Sequence, residues 1–204
     1  LAWSVRKGTK AAQKLPKDWE KKCKQAILRR AYTIKREDIP AELIVNSDQT
    51  GIVYSPGGKL TWTPRGAKQV AVIGAEEKRA FTALLAVSAS GNVLPIQAVF
   101  SGKTEASCPA PNAVNYKECQ DAKFRFKPSG TSTHWSNHET MHDFVDNTLA
   151  PYFDPQKELL GLETEQKSLW ILDVWSVHRS QAFRTWMRTH HSNILLDFIP
   201  GGCT

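Results

Sequence analysis

Two periodicities divide the chain. From Pro16 to Arg36 the positions Trp19, Cys23, Ala26, Ile27 and Arg30 recur at three-to-four spacing, which predicts an amphipathic helix over 16–36 with one narrow apolar stripe and outward lysines. Pro16 suits its first turn, Asp18 and Glu20 favour its positive end, and Arg29 and Arg30 lie toward its negative end. Pro40 marks a boundary, and beyond it the pattern turns to strands. Leu43-Ile44-Val45 leads through Asn46–Gly51 to Ile52-Val53-Tyr54, and Ser55-Pro56-Gly57-Gly58 is a turn signal. Val70–Ile73, Ala80–Ser88 and Val93–Phe100 predict further strands, the last two joined as a hairpin across Ser90-Gly91-Asn92.

Residues 102–133 show weak periodicity and read as an irregular connection. Ser136–Phe153 predicts a helix with Met141, Phe144, Val145 and Leu149 on one side, ended near Pro151, and 154–167 reads as a polar loop. Leu169-Trp170-Ile171-Leu172 is apolar without alternation and ends in Asp173, the pattern of a strand covered on both faces. A helix over Arg179–His190 and an apolar strand over Ile194–Ile199 follow, stopped by Pro200-Gly201-Gly202. Hairpin strands, then helix, strand, helix, strand predict an α/β fold: a mixed sheet with helical cover. No repeat or low-complexity tract interrupts it.

Composition fits that reading. Of 204 residues, 41% are hydrophobic and 23% charged, enough to bury a core and too apolar for a disordered chain. The longest apolar run near the middle, Ala83–Val87, is far short of the ~18–20 residues a membrane span needs, so no membrane partner is expected. No apolar stretch follows the basic residues of 1–10, so no signal peptide is read there, and reduced thiols are expected for Cys23, Cys108, Cys119 and Cys203. The net charge of +7 is unevenly placed. Residues 1–40 carry 12 Lys/Arg against 4 Asp/Glu, whereas 41–204 carry 15 against 16. A basic arm on a neutral body suits a polyanion, with Lys21, Lys22, Lys24, Arg29 and Arg30 as candidate phosphate contacts; a merely solvated helix face has the same composition.

Two constellations could carry chemistry. Asp48 and Asp173 each sit in or at the end of an apolar strand, where a bare carboxylate is costly unless donors or a cation meet it. If their strands are neighbours, the acids face each other and a hard divalent cation relieves their repulsion, the minimum kit for metal-assisted phosphoryl transfer. Alternatively each acid only caps a turn. The second constellation is His138-Glu139-Thr140-Met141-His142, an HExxH sequence whose two imidazoles share a helix face, as in zinc metalloproteases. Val145 and Thr148 break the extended form of that motif, and a chance match on a partly exposed helix competes with it. Ser101-Gly102-Lys103-Thr104 reads as a turn rather than a phosphate loop, because Gln97 stands where the first glycine belongs. Trp170, Trp175 and Trp186 read as packing residues, and Trp62 and Trp135, beside turn residues, as candidates for exposed stacking.

The residues around the two acids resemble a known family. Asn46-Ser47-Asp48-Gln49-Thr50-Gly51-Ile52 looks like the first-aspartate strand of DDE/DDD endonucleases of the pogo/Tigger/jerky branch of mariner-like transposases. Ile171-Leu172-Asp173-Val174-Trp175-Ser176-Val177-His178 resembles its second-aspartate strand, an acid followed five residues later by His, and Phe198-Ile199-Pro200-Gly201-Gly202-Cys203-Thr204 is similar to the Pro-centred segment before its third acid. The resemblance covers about 41–204. It implies an RNase H-like mixed sheet flanked by helices, with a basic N-terminal helix over 1–40 trailing an upstream DNA-binding region. It also implies DNA as partner, a nuclear setting, cleavage and strand transfer using two Mg²⁺ or Mn²⁺ ions on Asp48 and Asp173, His178 beside them, and leaves homo-oligomeric assembly open.

The departures bear on activity. The family's third carboxylate follows the Pro-centred segment, and the sequence stops at Thr204; Asp197 precedes Pro200 and does not match it. Gln49 stands where the family often has Glu, and Val174 and Trp175 make the second motif bulkier than its usual polar form. The alternatives to an endonuclease are therefore a transposon-derived protein that binds DNA without cutting it, and the zinc protease of His138 and His142.

Overall fold

The longest strand, β2 (Ile44–Val53), is the spine on which the others assemble. The computed structural model describes residues 3–7, 15–54, 60–68 and 80–203; the expected Ser55–Gly58 turn and Val70–Ile73 strand lie outside them. A two-stranded antiparallel ribbon pairs β1 (Trp3–Lys7) with β3 (Leu60–Pro64). The main sheet also holds β4 (Ala80–Ser88), β5 (Gln97–Phe100), β6 (Arg125–Pro128), β7 (Ser168–Leu172) and β8 (Ile194–Phe198), in the order β6-β5-β4-β2-β7-β8. Strand β4 runs antiparallel to both its neighbours, whereas β5–β6, β2–β7 and β7–β8 are parallel pairs. A hairpin-connected trio followed by parallel strands added on the far side of the first is the RNase H-like arrangement, here with β6 as an extra edge.

Burial follows the sequence pattern where it was strongest. All five residues of β7 are buried, as its unbroken apolar run requires of a strand covered on both faces. One cover is the helical layer of α3 (His138–Phe144), α4 (Ala150–Leu159) and α6 (Gln181–His190), whose Met141, Phe144, Phe153, Phe183 and Met187 pack with Leu84, Trp170 and Leu172. Each such fully buried side chain contributes about 1.5–3 kcal/mol. The helix over 136–153 differs from expectation at both ends. Asn137 caps it, accepting from Thr140 N (3.1 Å) while Thr140 Oγ1 accepts from Asn137 N (2.9 Å). It then continues past Pro151 to Leu159, because a π-helical turn over Val145–Leu149 precedes the proline. The wider turn makes room for a ring that would otherwise strike the carbonyl four residues back.

Three further expectations shift. The strand over Val93–Phe100 begins only at Gln97, after Pro95, with Val93 held by an isolated bridge to Val87. The connection 102–133 is not wholly irregular: it contains α2 (Tyr116–Asp121) and the edge strand β6. Asp143 explains β6, since its carboxylate accepts from Arg125 Nη2 (3.1 Å), Lys127 Nζ (3.1 Å) and Gln97 Nε2 (3.1 Å), contacts no local pattern reveals. A short helix α5 (Ser176–Arg179) precedes α6, with Ser180 between them as the cap, its Oγ accepting from Phe183 N (3.1 Å).

The other cover is the basic helix α1 (Trp19–Arg36), which packs on the sheet rather than standing off it. Its contact row is Cys23, Ala26, Arg30 and Ile34, while Trp19 and Ile27, expected in the stripe, are 41% and 62% exposed. Charge sets this rotation. Asp197, on β8 beside Ile171, is 5% exposed and receives Arg29 Nη2 at 2.8 Å and Arg30 Nε at 2.6 Å. A buried carboxylate needs such partners, so the arginines turn inward and carry Ile27 outward. The helix runs against β7 and β8: Gln166 Nε2 donates to Glu37 O (2.9 Å) at one end, and Gly202 lies against Pro16 at the other. A Cβ on Gly202 would come 3.1 Å from the Pro16 ring, and its φ of +76° favours glycine as well.

Arg30→Ala leaves the Asp197 carboxylate short of one charge partner. The expected cost is about 2–4 kcal/mol of unfolding free energy, read by urea denaturation, with faster amide exchange across α1; a change below about 0.5 kcal/mol would mean that the pair does not hold the helix.

Candidate active site

The β2–β7 register determines the site. Ile44, Val45 and Asn46 pair in parallel with Leu169, Trp170 and Ile171. Asp48 lies two residues beyond Asn46, and Asp173 two residues beyond Ile171, so both occupy corresponding positions where adjacent strands diverge. Neighbouring strands are ~4.8 Å apart, and the carboxyl ends of parallel strands are where open α/β sheets place their ligand sites. Two side-chain hydrogen bonds hold the strands in this register at the divergence: Asn46 Nδ2 donates to Ile171 O (3.3 Å) and Trp170 Nε1 to Ser47 Oγ (2.8 Å). Within β2, Gln49 N donates to Asp48 Oδ1 (2.8 Å) and orients that carboxylate.

Both acids line one cavity of about 170 Å³, with Trp135, Trp175 and His178 on its walls. That is below the ~300–1,000 Å³ of sites that enclose drug-sized ligands, so it suits ions and a phosphodiester rather than an engulfed nucleoside. His178 is 3% exposed and its Nδ1 lies 3.0 Å from Asp173 Oδ1. Burial pushes the imidazole below its ordinary value, opposed by the negative charges of Asp173 and, more weakly, Asp48. The neutral ring therefore donates Nδ1–H to Asp173 and orients that carboxylate, while Nε2 is buried without a partner among the described residues. Asp173 is 39% exposed and opens to the cavity.

The donor set decides which cation could fit. Two carboxylates without sulfur match a hard ion such as Mg²⁺ or Mn²⁺, which takes one or two carboxylates and completes its shell with water and phosphate oxygens. Among the described residues no group of three or more His, Cys, Asp or Glu is arranged to hold a metal, so this site offers a pair, not a closed cage. Asp197 adds no ligand: it pairs with Ile171, two positions before Asp173, and is taken up by Arg29 and Arg30. Arg29 and Arg30, two of the candidate phosphate contacts, thus both pair with this core acid, and Arg29 keeps 55% of its side chain exposed. Lys21 and Lys24 remain exposed, and Lys22 pairs at the surface with Asp18 (3.0 Å).

The HExxH residues do not converge on a metal position. His142 stacks on Trp186 with ring centroids 3.9 Å apart, its ring edge-on to His138 at 6.2 Å, and His138 Nε2 lies 3.3 Å from Ser180 Oγ. With no third ligand among the described residues, the motif serves packing between α3 and α6. All four cysteines are free, and among the described residues no helix is long and apolar enough to cross a membrane. Both tryptophans singled out for exposure are exposed: Trp62 at 68% on the β1–β3 ribbon and Trp135 at 61% on the cavity wall.

No protein-family model matches the sequence, and no curated protein matches it. Solved structures do. The chain superimposes on one in a Mos1 mariner paired end complex with Mn at TM-score 0.54 and 12% identity, covering 97% of this chain and 47% of that one. It matches a Mos1 transposase paired-end complex with left transposon end at 0.51 and 14%, covering 97% and 47%, and a pre-cleavage Mos1 transpososome at 0.51 and 13%, covering 95% and 48%. The likeness is one of fold, and the chain spans about half the length of those it matches.

Burial depresses the pKa of His142, with His138 adding to the shift, just as burial depresses that of His178. The unfolded chain therefore binds protons that the folded one does not, and stability falls as pH drops below about 6.5, the unfolded histidine value. His142→Phe keeps a ring on Trp186 and removes one titrating group. Urea midpoints at pH 7.5 and 5.5 should differ less in this variant than in the parent chain; an equal difference would assign the acid sensitivity elsewhere.

Proposed function

We propose that the chain is the core of a transposase-type DNA endonuclease, in which Asp48 and Asp173 bind the divalent cations that cleave a phosphodiester and transfer the strand. The observation that carries this reading is the β2–β7 register, which sets two carboxylates just beyond the last β2–β7 pair, Asp48 within β2 and Asp173 directly after β7, over one small cavity. The Mos1 chains with which it shares its fold come from complexes with transposon ends, one of them with Mn. Bound there, Mg²⁺ or Mn²⁺ would lower the pKa of a water or 3′-hydroxyl and stabilise the leaving oxygen. The chain's own contribution is placement. Asp48 and Asp173 supply the negative charge that recruits cations to an otherwise near-neutral core, and His178 fixes the oxygen of Asp173 that is left to bind. Helix α1 runs along β7 and β8 with its N-terminal end toward their C-terminal ends, where Gly202 meets Pro16, and this supports the reading that Lys21, Lys22 and Lys24 contact the DNA backbone.

A second reading, binding without cleavage, is favoured by the absence of a third acidic ligand among the described residues. Plasmid nicking in Mn²⁺ or Mg²⁺ separates the two. The endonuclease reading expects nicking that falls at least 10²-fold in Asp48→Asn and in Asp173→Asn. Undiminished nicking in both variants would remove these acids from catalysis. No nicking, with DNA affinity that both variants keep and that falls steeply with salt, would establish the binding protein. Replacing Lys21, Lys22 and Lys24 should lower the slope of log K against log[salt] by roughly 0.9 for each phosphate no longer neutralised.

A further inference from the structure

Trp135 is the one large side chain at the cavity that the fold leaves out of its core. It is 61% exposed, whereas its neighbour Trp175 is half-buried with its ring edge-on to His178 at 5.2 Å. An exposed indole forgoes the burial that makes tryptophan worth placing, so its position asks for an occupant.

The backbone beneath it is held from both sides. Asn137 Nδ2 donates to Ser129 O (2.6 Å), the Ser129 hydroxyl donates to Thr133 O, and the Asn137–Thr140 capping box fixes the far end. The Thr82 hydroxyl donates to His134 O (2.8 Å), so at 3.0 Å it accepts from His134 Nδ1–H. That bond sets the His134 ring, which lies against Trp135 with centroids 4.8 Å apart. Thr82 and Ser129 are each 1% exposed and Thr140 is 3% exposed, so core residues anchor the backbone on either side of the exposed indole. A loop that served merely as a connection would not need six hydrogen bonds to present one aromatic ring.

We propose that Trp135 is a stacking platform for an unpaired nucleobase beside the phosphodiester held over Asp48 and Asp173. The cavity is too small to enclose a nucleoside but adjoins the indole, so a phosphate at the acids leaves its neighbouring base at the rim, over an apolar ring. Stacking of this kind accepts any base, because every base has a π-face, and it holds the strand in one register without reading sequence. Trp62, also exposed, lies on the separate β1–β3 ribbon and does not line the cavity of the two acids. The assignment rests on the endonuclease reading of the two acids and adds the subsite that positions the strand.

The test uses the whole chain in metal-free buffer, with duplexes carrying a frayed or nicked end and a single 2-aminopurine placed at successive positions. At one position beside the cleavage point the wild type and Trp135→Phe should quench the fluorescence. Trp135→Ala and Trp135→Leu should not, and should bind about tenfold more weakly. An abasic residue there should abolish the difference between wild type and Trp135→Ala, and Trp62→Ala should behave as wild type. Because Trp135 is exposed, its variants should keep the wild-type melting curve; Leu, similar in bulk, serves if Ala disturbs the loop. Quenching that persists in both Trp135→Ala and Trp135→Leu would overturn the platform while leaving the two-acid reading intact. Failure of the wild type to bind any of the duplexes would overturn both.

Discussion

Two like charges just beyond the point where two parallel strands stop pairing are the constraint on which this structure turns. The β2–β7 pairing would be easier to build with apolar residues at positions 48 and 173, and nothing in the core requires acids there. Their repulsion is tolerated because the strands diverge at that point and the cavity stays open to water, where the effective dielectric is high. The neighbouring residues keep the arrangement from relaxing. Trp170, fully buried, reaches across to Ser47, and Asn46 reaches to the Ile171 carbonyl. His178, neutral and enclosed, ties down one oxygen of Asp173. An arrangement that holds repelling groups together at an accessible edge is better suited to recruiting a cation than to stability.

A third acid shows the opposite solution. Asp197 lies only two register positions from Asp173, yet it is buried and compensated by Arg29 and Arg30. The ion triad converts the basic helix from an appendage into part of the core and fixes which residues it presents to solvent. It also divides the positive charge of the first 40 residues into two tasks. The arginines neutralise the core acid, while Lys21, Lys22 and Lys24 stay at the surface.

Much of this was legible in the sequence where the signal was local. The unbroken apolar run of β7 and the hairpin signal after β4 are short-range patterns, and the acids in or after apolar strands singled out Asp48 and Asp173 as candidates, with His178 added by the family resemblance. What escaped depended on partners distant in sequence. Strand β6 exists because Asp143 gathers Arg125 and Lys127, and α1 is rotated by Asp197, 167 positions from Arg30. The helix that passes through Pro151 does so by a π-helical turn with no composition of its own. HExxH misled for the complementary reason: i, i+4 spacing puts two imidazoles on one face, but only the surroundings decide whether they meet a metal or, as here, an indole.

Whether Asp48 and Asp173 act as one cation site is tested most directly by Mn²⁺ titration followed by electron paramagnetic resonance, on the wild type, Asp48→Asn and Asp173→Asn without DNA. Saturable binding in the wild type that is lost or weakened at least tenfold in each variant is the predicted result. Equal binding in all three proteins, or a loss in one variant only, would contradict a shared site.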